Sequence, residues 1–422
     1  MSPHDREGGL EEGLATSRVL VCAGTGGVGK TTIAAALGLQ AAALGRHTLI
    51  LTIDPARRLA DALGLANLGS VPTPVELKGA GMPGDERSRG RLDAMMLDPK
   101  PTFDRLVTSL TPDKAARERI LDNRIYRHLS EALAGSAEYA AMEQVHEAVE
   151  SGHYDLVIVD TPPSSHALDF LRAPRRLRDF LESRFVKALV QPAMHASRFG
   201  FRFFGRSLHR MIGLLDRLAG VGFLDDLTEF LSAIDGLSEG FRERATRVED
   251  VLLGDHASFV LVCAVTSNSE PDTLEFLKQL DDLGVHLAAV IVNRVRPWPL
   301  EESAGDWRAR TTSEALARDG RTLHAAFDAV ASADASGRNG DSGAERHVRD
   351  LIEAVQETAQ VCENADQTIW RLSASAAEHG VRCHTVPELA DDVDRLEGLL
   401  EIGNALCGTK PLVPESSFEE SV

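Results

Sequence analysis

The stretch that decides the fold is VCAGTGGVGKTT, which runs from Val21 to Thr32. It overlaps an apolar run at 18–23 that is typical of a β-strand, and it leads into an alanine-rich helical pattern that extends to Leu44. Residues 24–31 match the pattern G-x-x-x-x-G-K-[ST] of a phosphate-binding loop. A strand before the motif and a helix after it are the context that this motif requires, so we predict a nucleotide site here.

The residue types of this loop explain how it would hold ATP. Glycines allow left-handed backbone angles and bring N–H groups close to phosphate, while the helix N-terminus adds the positive end of a dipole. We expect Lys30 to reach the β- and γ-phosphates and the hydroxyl of Thr31 to bind Mg²⁺. The alternative is a glycine-rich turn without a ligand. The residues expected to contact ATP are Gly24, Thr25, Gly26, Gly27, Val28, Gly29, Lys30, Thr31 and Thr32.

Apolar strands alternate with helical patterns along the rest of the chain. They are predicted at 48–54, 92–98, 155–160, 259–265, 287–293 and 381–386, and a long helical region is predicted at 112–150. Continuously apolar strands indicate that helices cover both faces of the sheet. We therefore predict an α/β fold with a doubly wound, mostly parallel sheet of the P-loop NTPase type.

Two helical regions interrupt this alternation. Residues 173–253 hold nine of the fifteen phenylalanines, and we predict that they form an inserted α-helical subdomain. Residues 300–380 are predicted as a second helical insertion with a flexible linker at 332–345. The remaining predicted units are a nucleotide-binding core at 18–172, 254–299 and 381–413, and disordered ends at 1–17 and 414–422.

Composition narrows the classes of function. The 422-residue chain has a formal net charge of −19, which argues against general affinity for nucleic acid or for anionic membranes. Its five cysteines include no CxxC pair, which argues against a disulfide framework or a zinc knuckle. Because the sequence shows neither the apolar core of a signal peptide nor a run of about 18 apolar residues, we expect a cytoplasmic protein without a membrane span.

Two aspartates end predicted strands, where ligands bind in sheets of this kind. Asp160 ends the run VIVD and is a candidate for holding the Mg²⁺ shell, with a simple turn residue as the alternative. Asp54 ends the second strand. It could orient the attacking water or accept its proton, or it could cap the helix that follows, and its spacing alone leaves both readings open.

The motifs GTGGVGKTT, LTIDPARRL and VDTPPSSHALDFL together resemble the ArsA-like, anion-transporting ATPases. This family includes arsenical-pump ATPases and the ATPases that deliver tail-anchored membrane proteins. The resemblance covers roughly residues 18–300 and 381–403. It implies a Mg²⁺-dependent ATPase whose dimer closes on ATP and reopens after hydrolysis, and whose cycle drives the binding and release of an apolar client or partner.

The resemblance also assigns roles to two switch segments. The DPA run that begins at Asp54 resembles the first switch, so Asp54 is implied to position the water and, with Lys30, to be catalytic. The segment 160–166 resembles the second switch, which senses the γ-phosphate. Pro162 and Ser165 depart from the usual D-T-A-P-T-G-H, so this switch is expected to move differently.

The base of the nucleotide is assigned in the same way. Asn293 matches the asparagine that reads adenine in the family, with a turn residue at a strand end as the alternative. Pro387 and Leu389 lie in a late loop, TVPELADDV, that resembles the loop packed on the base.

The phenylalanine-rich region lies where family members carry a helical subdomain. In the targeting ATPases this subdomain forms an apolar groove for a client helix, and the alternative is an ordinary helical core. The chain lacks the cysteine cluster of arsenical pumps, the zinc-binding CxxC of the targeting ATPases and a second nucleotide motif. Arsenite binding is therefore not expected, and dimerisation would need a basis other than zinc.

Thr25 stands where the family motif GKGGVGKTT carries a second lysine. In this class that lysine crosses a dimer interface and contacts the phosphates held by the other subunit. We therefore favour a heterodimer with a related subunit that carries the lysine. The alternative is a homodimer in which Arg57 or Arg58 supplies the charge. Two other functions stay open: the energising subunit of an anion exporter, and a nucleotide-binding scaffold with little turnover.

Overall fold

The computed structural model describes residues 9–54, 57–77, 90–132, 136–162, 223–265, 269–298, 341–389, 393 and 395–408. Within these ranges, eight strands form one sheet: β1 Val19–Ala23, β2 Thr48–Thr52, β3 Thr73–Pro74, β4 Leu92–Met96, β5 Leu156–Asp160, β6 Ala257–Ala264, β7 Leu287–Val295 and β8 Cys383–Pro387. Their order in the sheet is β3-β4-β2-β5-β1-β6-β7-β8. All neighbours pair in parallel except β3, which runs antiparallel to β4 at one edge.

Helices surround this sheet on both faces. They are α1 Leu10–Thr16, α2 Lys30–Ala43, α3 Arg58–Ala62, α4 Pro99–Leu110, α5 Lys114–Asp122, α6 Arg124–Ala132, α7 Ser136–Glu150, α8 Phe223–Leu253, α9 Ser269–Asp282, α10 Asp341–Glu378 and α11 Leu396–Cys407. No helix in the described ranges is long and apolar enough to cross a membrane.

The central strands are buried on both faces, as their continuous apolar pattern predicts. Every residue of β1, β2 and β5 is buried. Successive side chains alternate between two cores because the side-chain period of a strand is two residues. One core contains Val21, Leu51 and Val159 with side chains of α4 to α8, and the other contains Leu20, Ile50 and Ile158 with side chains of α1, α2 and α11. The predicted doubly wound, mostly parallel fold is thus confirmed.

Strand register brings the predicted site residues together. In the parallel pairs, Asp160 of β5 lies opposite Cys22 of β1 on one side and Thr52 of β2 on the other. The carboxyl ends of these three strands therefore meet at one edge of the sheet. The phosphate loop, Asp54 and Asp160 follow or end those strands, so the topology places them next to one another.

The expected disorder of residues 1–17 is wrong in part, because residues 10–16 form α1. Leu10 and Leu14 are four residues apart and lie on one face of this helix, and both are buried with α2 and α11. The side chain of Arg46 donates hydrogen bonds to the carbonyl oxygens of Leu14 and Ser17, the second at 2.7 Å. The buried leucines and the hydrogen bonds from Arg46 at its C-terminal end stabilise this short helix, although its sequence looks polar.

The predicted linker at 332–345 needs a similar correction, because α10 begins at Asp341 and takes in the last five linker residues. Asp and Ser at 341 and 342 are residues that favour helix starts. Within the predicted helical region at 300–380, residues 341–378 form this helix. The predicted helical region at 112–150 contains α5, α6 and α7, whereas α4 starts earlier, at Pro99, since proline is tolerated in a first helical turn.

Candidate active site

The phosphate loop joins β1 to α2 and lies close to strands β6 and β7. Gly29 has a φ of +94°, and a Cβ there would lie 2.2 Å from Asn293 Nδ2. Gly24 faces β6, where a Cβ would lie 2.0 Å from the carbonyl oxygen of Val262. A side chain at either position would collide with its neighbour. Glycine therefore lets the loop pass close to β6 and β7 and leaves the amino end of α2 open for phosphate.

Asn293, at the carboxyl end of β7, supports the loop. It is only 5% exposed, and its Nδ2 donates a hydrogen bond to the carbonyl oxygen of Val28 at 2.8 Å. Its Oδ1 accepts a hydrogen bond from the backbone N–H of Arg294 at 2.9 Å. Both ends of the amide are thus used within the chain. The structure assigns Asn293 a supporting contact that the sequence did not predict, and its adenine contact stays a prediction.

Asp160 is the buried centre of the site. Its Oδ2 accepts hydrogen bonds from Thr31 Oγ1 at 2.8 Å and from Thr52 Oγ1 at 2.9 Å. Its Oδ1 is buried and has no hydrogen-bond partner within the part of the chain that the structure describes. The loop threonine and the strand-end aspartate predicted to hold the metal are therefore in direct contact.

The electrostatics of Asp160 follow from its burial. Burial raises the pKa of this carboxyl from 3.8 to about 6, against the opposing effects of the Thr31 and Thr52 hydroxyls and of Lys30. The nearby carboxylate of Asp54 raises it further. The groups around Asp160 thus do not fully balance the charge of its ionised carboxylate, and a cation bound at this position would stabilise that charge.

Lys30 lies at the first position of α2 and points back over the loop. Its Nζ donates a hydrogen bond to the carbonyl oxygen of Thr25 at 2.9 Å. Burial lowers the pKa of this ammonium, while the carboxylates of Asp160 and Asp54 raise it. The ammonium therefore sits among the groups predicted to handle phosphate, and it is held by the residue that replaces the second lysine of the motif.

Asp54 follows β2 and is the acidic group at the rim of the site. Its backbone N–H donates to Thr52 Oγ1 at 3.3 Å, and its Oδ2 is 3.5 Å from Nη1 of Arg58. The neighbouring Arg57 instead donates through Nη2 to the carbonyl oxygen of Ala66 at 2.6 Å. The two arginines of the first switch therefore have different partners, and of the two Arg58 is the one that contacts Asp54.

Two hydroxyl residues of the site were missed in the sequence. Thr52 links β2 to Asp160, and Thr161 donates through Oγ1 to the carbonyl oxygen of Cys22 at 2.8 Å. The available signal was a threonine at the polar end of an otherwise apolar strand, as in TLILT. Of the predicted second switch, the structure describes residues 160–162, and its departure at Ser165 lies outside the described residues.

The two other residues predicted to contact the base lie at the same edge of the sheet. Pro387 ends β8, and Leu389 packs at the margin of the core that contains α2 and α11. Between them, Glu388 donates its backbone N–H to Val295 at 2.8 Å and pairs with Arg296 at 3.1 Å. These contacts hold the segment after β8 against the end of β7, beside Asn293. Contact with adenine stays a prediction for both residues.

The residues present fit a magnesium ion. Mg²⁺ prefers hard oxygen ligands and takes few from the protein when phosphate and water supply the rest. The Thr31 hydroxyl and the Oδ1 of buried Asp160, which has no partner among the described residues, are donors of this type. Thr31 and Asp160 would hold the ion, and charge compensation at the phosphates is the chemistry it would supply.

A strand, a glycine-rich loop and a helix that begins with Lys-Thr, next to a buried strand-end aspartate, define the class of P-loop nucleoside triphosphatases. A comparison with known families is more specific, because the model of the family described as "Anion-transporting ATPase" matches residues 17–316. The chain belongs to this family, and it is an ATP hydrolase. The predicted resemblance is thereby confirmed.

Curated relatives agree with this assignment. A protein named "ATPase get3" from Aspergillus terreus is 28% identical over 283 residues, which are 66% of this chain and 74% of the relative. One of the same name from Aspergillus niger is 26% identical over 284 residues, 66% and 73% of the two chains. "ATPase GET3" from Mycosarcoma maydis is 25% identical over 280 residues, again 66% and 73%.

Proposed function

We propose that this chain is a cytoplasmic, Mg²⁺-dependent ATPase that works as a dimer, closing on ATP and opening after hydrolysis. The cycle drives the binding and release of an apolar client or partner. The observation that carries the Mg²⁺-dependent part is the buried Asp160, hydrogen-bonded to Thr31 through Oδ2 and left with an unpartnered Oδ1 among the described residues. Family membership and the relatives named as get3 ATPases support the cycle.

The residues of the site have separate roles in this proposal. Backbone N–H groups of the loop and the ammonium of Lys30 hold the β- and γ-phosphates. Thr31 and Asp160 hold Mg²⁺, which balances charge on the phosphate oxygens. Asp54 accepts a hydrogen bond from the attacking water and orients it toward the γ-phosphorus, because phosphoryl transfer to water depends mainly on positioning and charge.

The site is connected to the proposed subdomain through the second switch. Asp160 ends β5, and Thr161 continues directly from it while its hydroxyl is bonded to the backbone of β1. The segment that follows leads to the predicted helical subdomain at 173–253. A change in the ligand bound by Asp160 would therefore displace the start of that segment.

The client surface is proposed to lie in the phenylalanine-rich region. Most of the phenylalanine-rich region, including Phe199, Phe201, Phe203 and Phe204, lies outside the described residues. Within α8, Phe230 and Phe241 are buried in the core shared with α4 to α7. For these two side chains the alternative of an ordinary helical core is therefore supported, and a client groove would have to use other residues of the region.

Thr25 motivates the proposed partner. Its hydroxyl has neither the reach nor the charge of a lysine, so a homodimer would lack that cation in both sites. We favour a related subunit that supplies the lysine. The family description favours one second candidate, in which the chain energises an anion exporter at a membrane. Copurification with a membrane channel rather than with an apolar client would select that candidate.

The first test is steady-state Mg²⁺-dependent ATP hydrolysis by the chain purified alone, with its oligomeric mass measured on the same sample. We expect slow turnover by the parent and an increase of about tenfold or more in Thr25→Lys, because one charged contact in a transition state is worth at least about 1.4 kcal/mol. Asp54→Asn should bind Mg²⁺–ATP but hydrolyse it at least about 100-fold more slowly.

Each part of the proposal has its own contrary result. Fast turnover by a parental homodimer that Thr25→Lys does not increase would contradict the need for a lysine-bearing partner. Undiminished hydrolysis by Asp54→Asn would remove Asp54 from the mechanism. A parent that hydrolyses ATP as a monomer, without a change of mass on ATP binding, would overturn the dimer cycle.

A further inference from the structure

Two adjacent arginines at the start of α3 differ in what they can reach. Arg57 donates a hydrogen bond to the Ala66 carbonyl oxygen. Arg58 is 3.5 Å from Asp54 Oδ2, and its side chain is 61% exposed while that of Asp54 is 14% exposed. Arg58 is thus a long cation with one end at the rim of the site and most of its surface in water.

Arg58 also acts on the interior of the site. Burial is the main cause that lowers the pKa of Lys30, and the positive charge of Arg58 lowers it as well. The guanidinium is therefore close enough to influence the ammonium that is predicted to hold the phosphates. Asp54 and Asp160 add two carboxylates to the same small region, so an incoming triphosphate meets negative charge that one ammonium balances only in part.

We propose that Arg58 exchanges partners when ATP binds. It pairs with Asp54 in the nucleotide-free site and moves to an oxygen of the γ-phosphate in the ATP state. The exchange adds a cation to the phosphates and at the same time frees Asp54 Oδ2 to accept a hydrogen bond from the attacking water. This inference rests on the water-positioning role proposed for Asp54.

Three physical points support the exchange. A nitrogen–oxygen distance of 3.5 Å is at the outer limit of a hydrogen bond, and the Arg58 side chain is 61% exposed, so leaving Asp54 costs it little. A phosphate group offers a guanidinium several charged acceptors in a geometry that suits its planar fork. A cation placed on the transferred phosphoryl group stabilises the charge that spreads over its oxygens in the transition state.

The exchange gives this chain its own way to distinguish ATP from ADP. ADP lacks the γ-phosphate, so Arg58 stays on Asp54 when ADP is bound. The mechanism acts within one chain and is compatible with a further lysine from a partner. It also selects between the two arginines of the first switch, because Arg57 is held by the Ala66 carbonyl.

The test compares Arg58→Ala and Arg58→Lys with Arg57→Ala as the matched control. The affinities for ADP and for a non-hydrolysable ATP analogue and the rate of ATP hydrolysis are measured with Mg²⁺ for each variant. For Arg58→Ala we expect an unchanged affinity for ADP and a loss of about tenfold in affinity for the analogue. Its kcat should fall about 100-fold. Arg58→Lys should recover part of both losses, and Arg57→Ala should match the parent within about twofold.

The contrary results separate the two proposals. If Asp54→Asn is inactive but Arg58→Ala keeps the parental kcat and the parental preference for the ATP analogue, the exchange is overturned and the role of Asp54 stands. If Asp54→Asn hydrolyses ATP at the parental rate, the role of Asp54 and the exchange fall together. Equal losses in Arg57→Ala and Arg58→Ala would also overturn the exchange, since they would indicate a general effect of charge. The urea midpoint of each variant is compared with that of the parent, and Arg58→Lys provides the same readouts should Arg58→Ala fail to fold.

Discussion

At the scale of single residues, the protonation of Asp160 makes the stability of the folded protein depend on pH. Its pKa is raised from 3.8 to about 6 in the folded protein, mainly by burial. The folded state therefore binds a proton more tightly than the unfolded chain. This stabilisation is complete below pH 4 and is lost as the pH rises through 6, so the ionised carboxylate costs the nucleotide-free protein on the order of 3 kcal/mol at neutral pH.

Asp160→Asn should therefore make the nucleotide-free protein more stable, by about 1–3 kcal/mol at pH 7.5. The gain should shrink by about half at pH 5, where the parental Asp160 is largely protonated in the folded state. Urea unfolding of parent and variant at several pH values measures this difference. A variant that is less stable than the parent by the same amount at every pH would contradict the expectation. The same substitution should abolish Mg²⁺-dependent nucleotide binding.

The residue scale also shows what the sequence could predict. Asp160, Thr31 and Lys30 were predictable because the motif and the end of an apolar strand fix their positions in any fold of this class. The contact of Asn293 with the Val28 carbonyl was not, because it depends on how closely β7 approaches the loop. The alternative for Asp54, a helix cap, stays open, because α3 begins at Arg58 and residues 55 and 56 lie outside the described residues.

At the scale of secondary-structure elements, α1 is a short helix fixed by few contacts. Leu14 is fully buried between this helix and the core that contains α2 and α11. Leu14→Ala should lower the free energy of unfolding by about 2–4 kcal/mol, because it removes buried methyl groups and leaves a cavity. Urea denaturation followed by circular dichroism measures the change.

Leu44→Ala is the matched control for this prediction. Leu44 follows α2, and it is 60% exposed. The same chemical change at this position should cost less than about 1 kcal/mol. Equal effects of the two substitutions would mean that α1 does not pack on the core in solution and that the N-terminal segment is disordered, as its polar sequence predicts.

The limits of prediction at this scale have a physical cause. Long apolar strands and the alanine-rich α2 were located correctly, because burial on both faces leaves a continuous signal in the sequence. α1 was not predicted because its two leucines are its large apolar residues, and the five polar or small residues around them dilute the pattern. The sequence does not predict β3, because a two-residue strand is defined by its pairing with a neighbouring strand and not by its own composition.

At the scale of the whole molecule, a buried ion pair joins α7 to α8. Glu143 is fully buried, and its Oε1 accepts a hydrogen bond from Arg244 Nε at 2.7 Å. Its Oε2 has no hydrogen-bond partner within the described residues. Burial raises the pKa of Glu143, and the guanidinium of Arg244 opposes that shift. The pair therefore links the nucleotide-binding core to the helix that ends the proposed subdomain.

Arg244→Met should destabilise the protein by about 3–5 kcal/mol, because it leaves a buried carboxylate without its cation. The double variant Glu143→Gln with Arg244→Met should recover more than half of that loss, since it removes the charge as well. A double-mutant cycle in urea measures the coupling. Additive effects of the two substitutions would show that the pair does not hold the two helices together.

The order of the strands could not be predicted at this scale. The alternation of strands and helices indicated a parallel sheet, but several orders satisfy that pattern equally well. Pairing of β1 with both β5 and β6 is a long-range result, since these two partners are separated by 96 residues of sequence, from 161 to 256. The tertiary contacts of the folded chain select this strand order.

Both outermost strands of the sheet end in proline, Pro74 on β3 and Pro387 on β8. A proline has no N–H to offer an incoming strand, and β3 is only two residues long. The sheet therefore makes a poor template for edge-to-edge aggregation, which is a hazard for any open sheet at high concentration. Copies of this chain are thus expected to meet through side chains and bound nucleotide, and not by extending one continuous sheet.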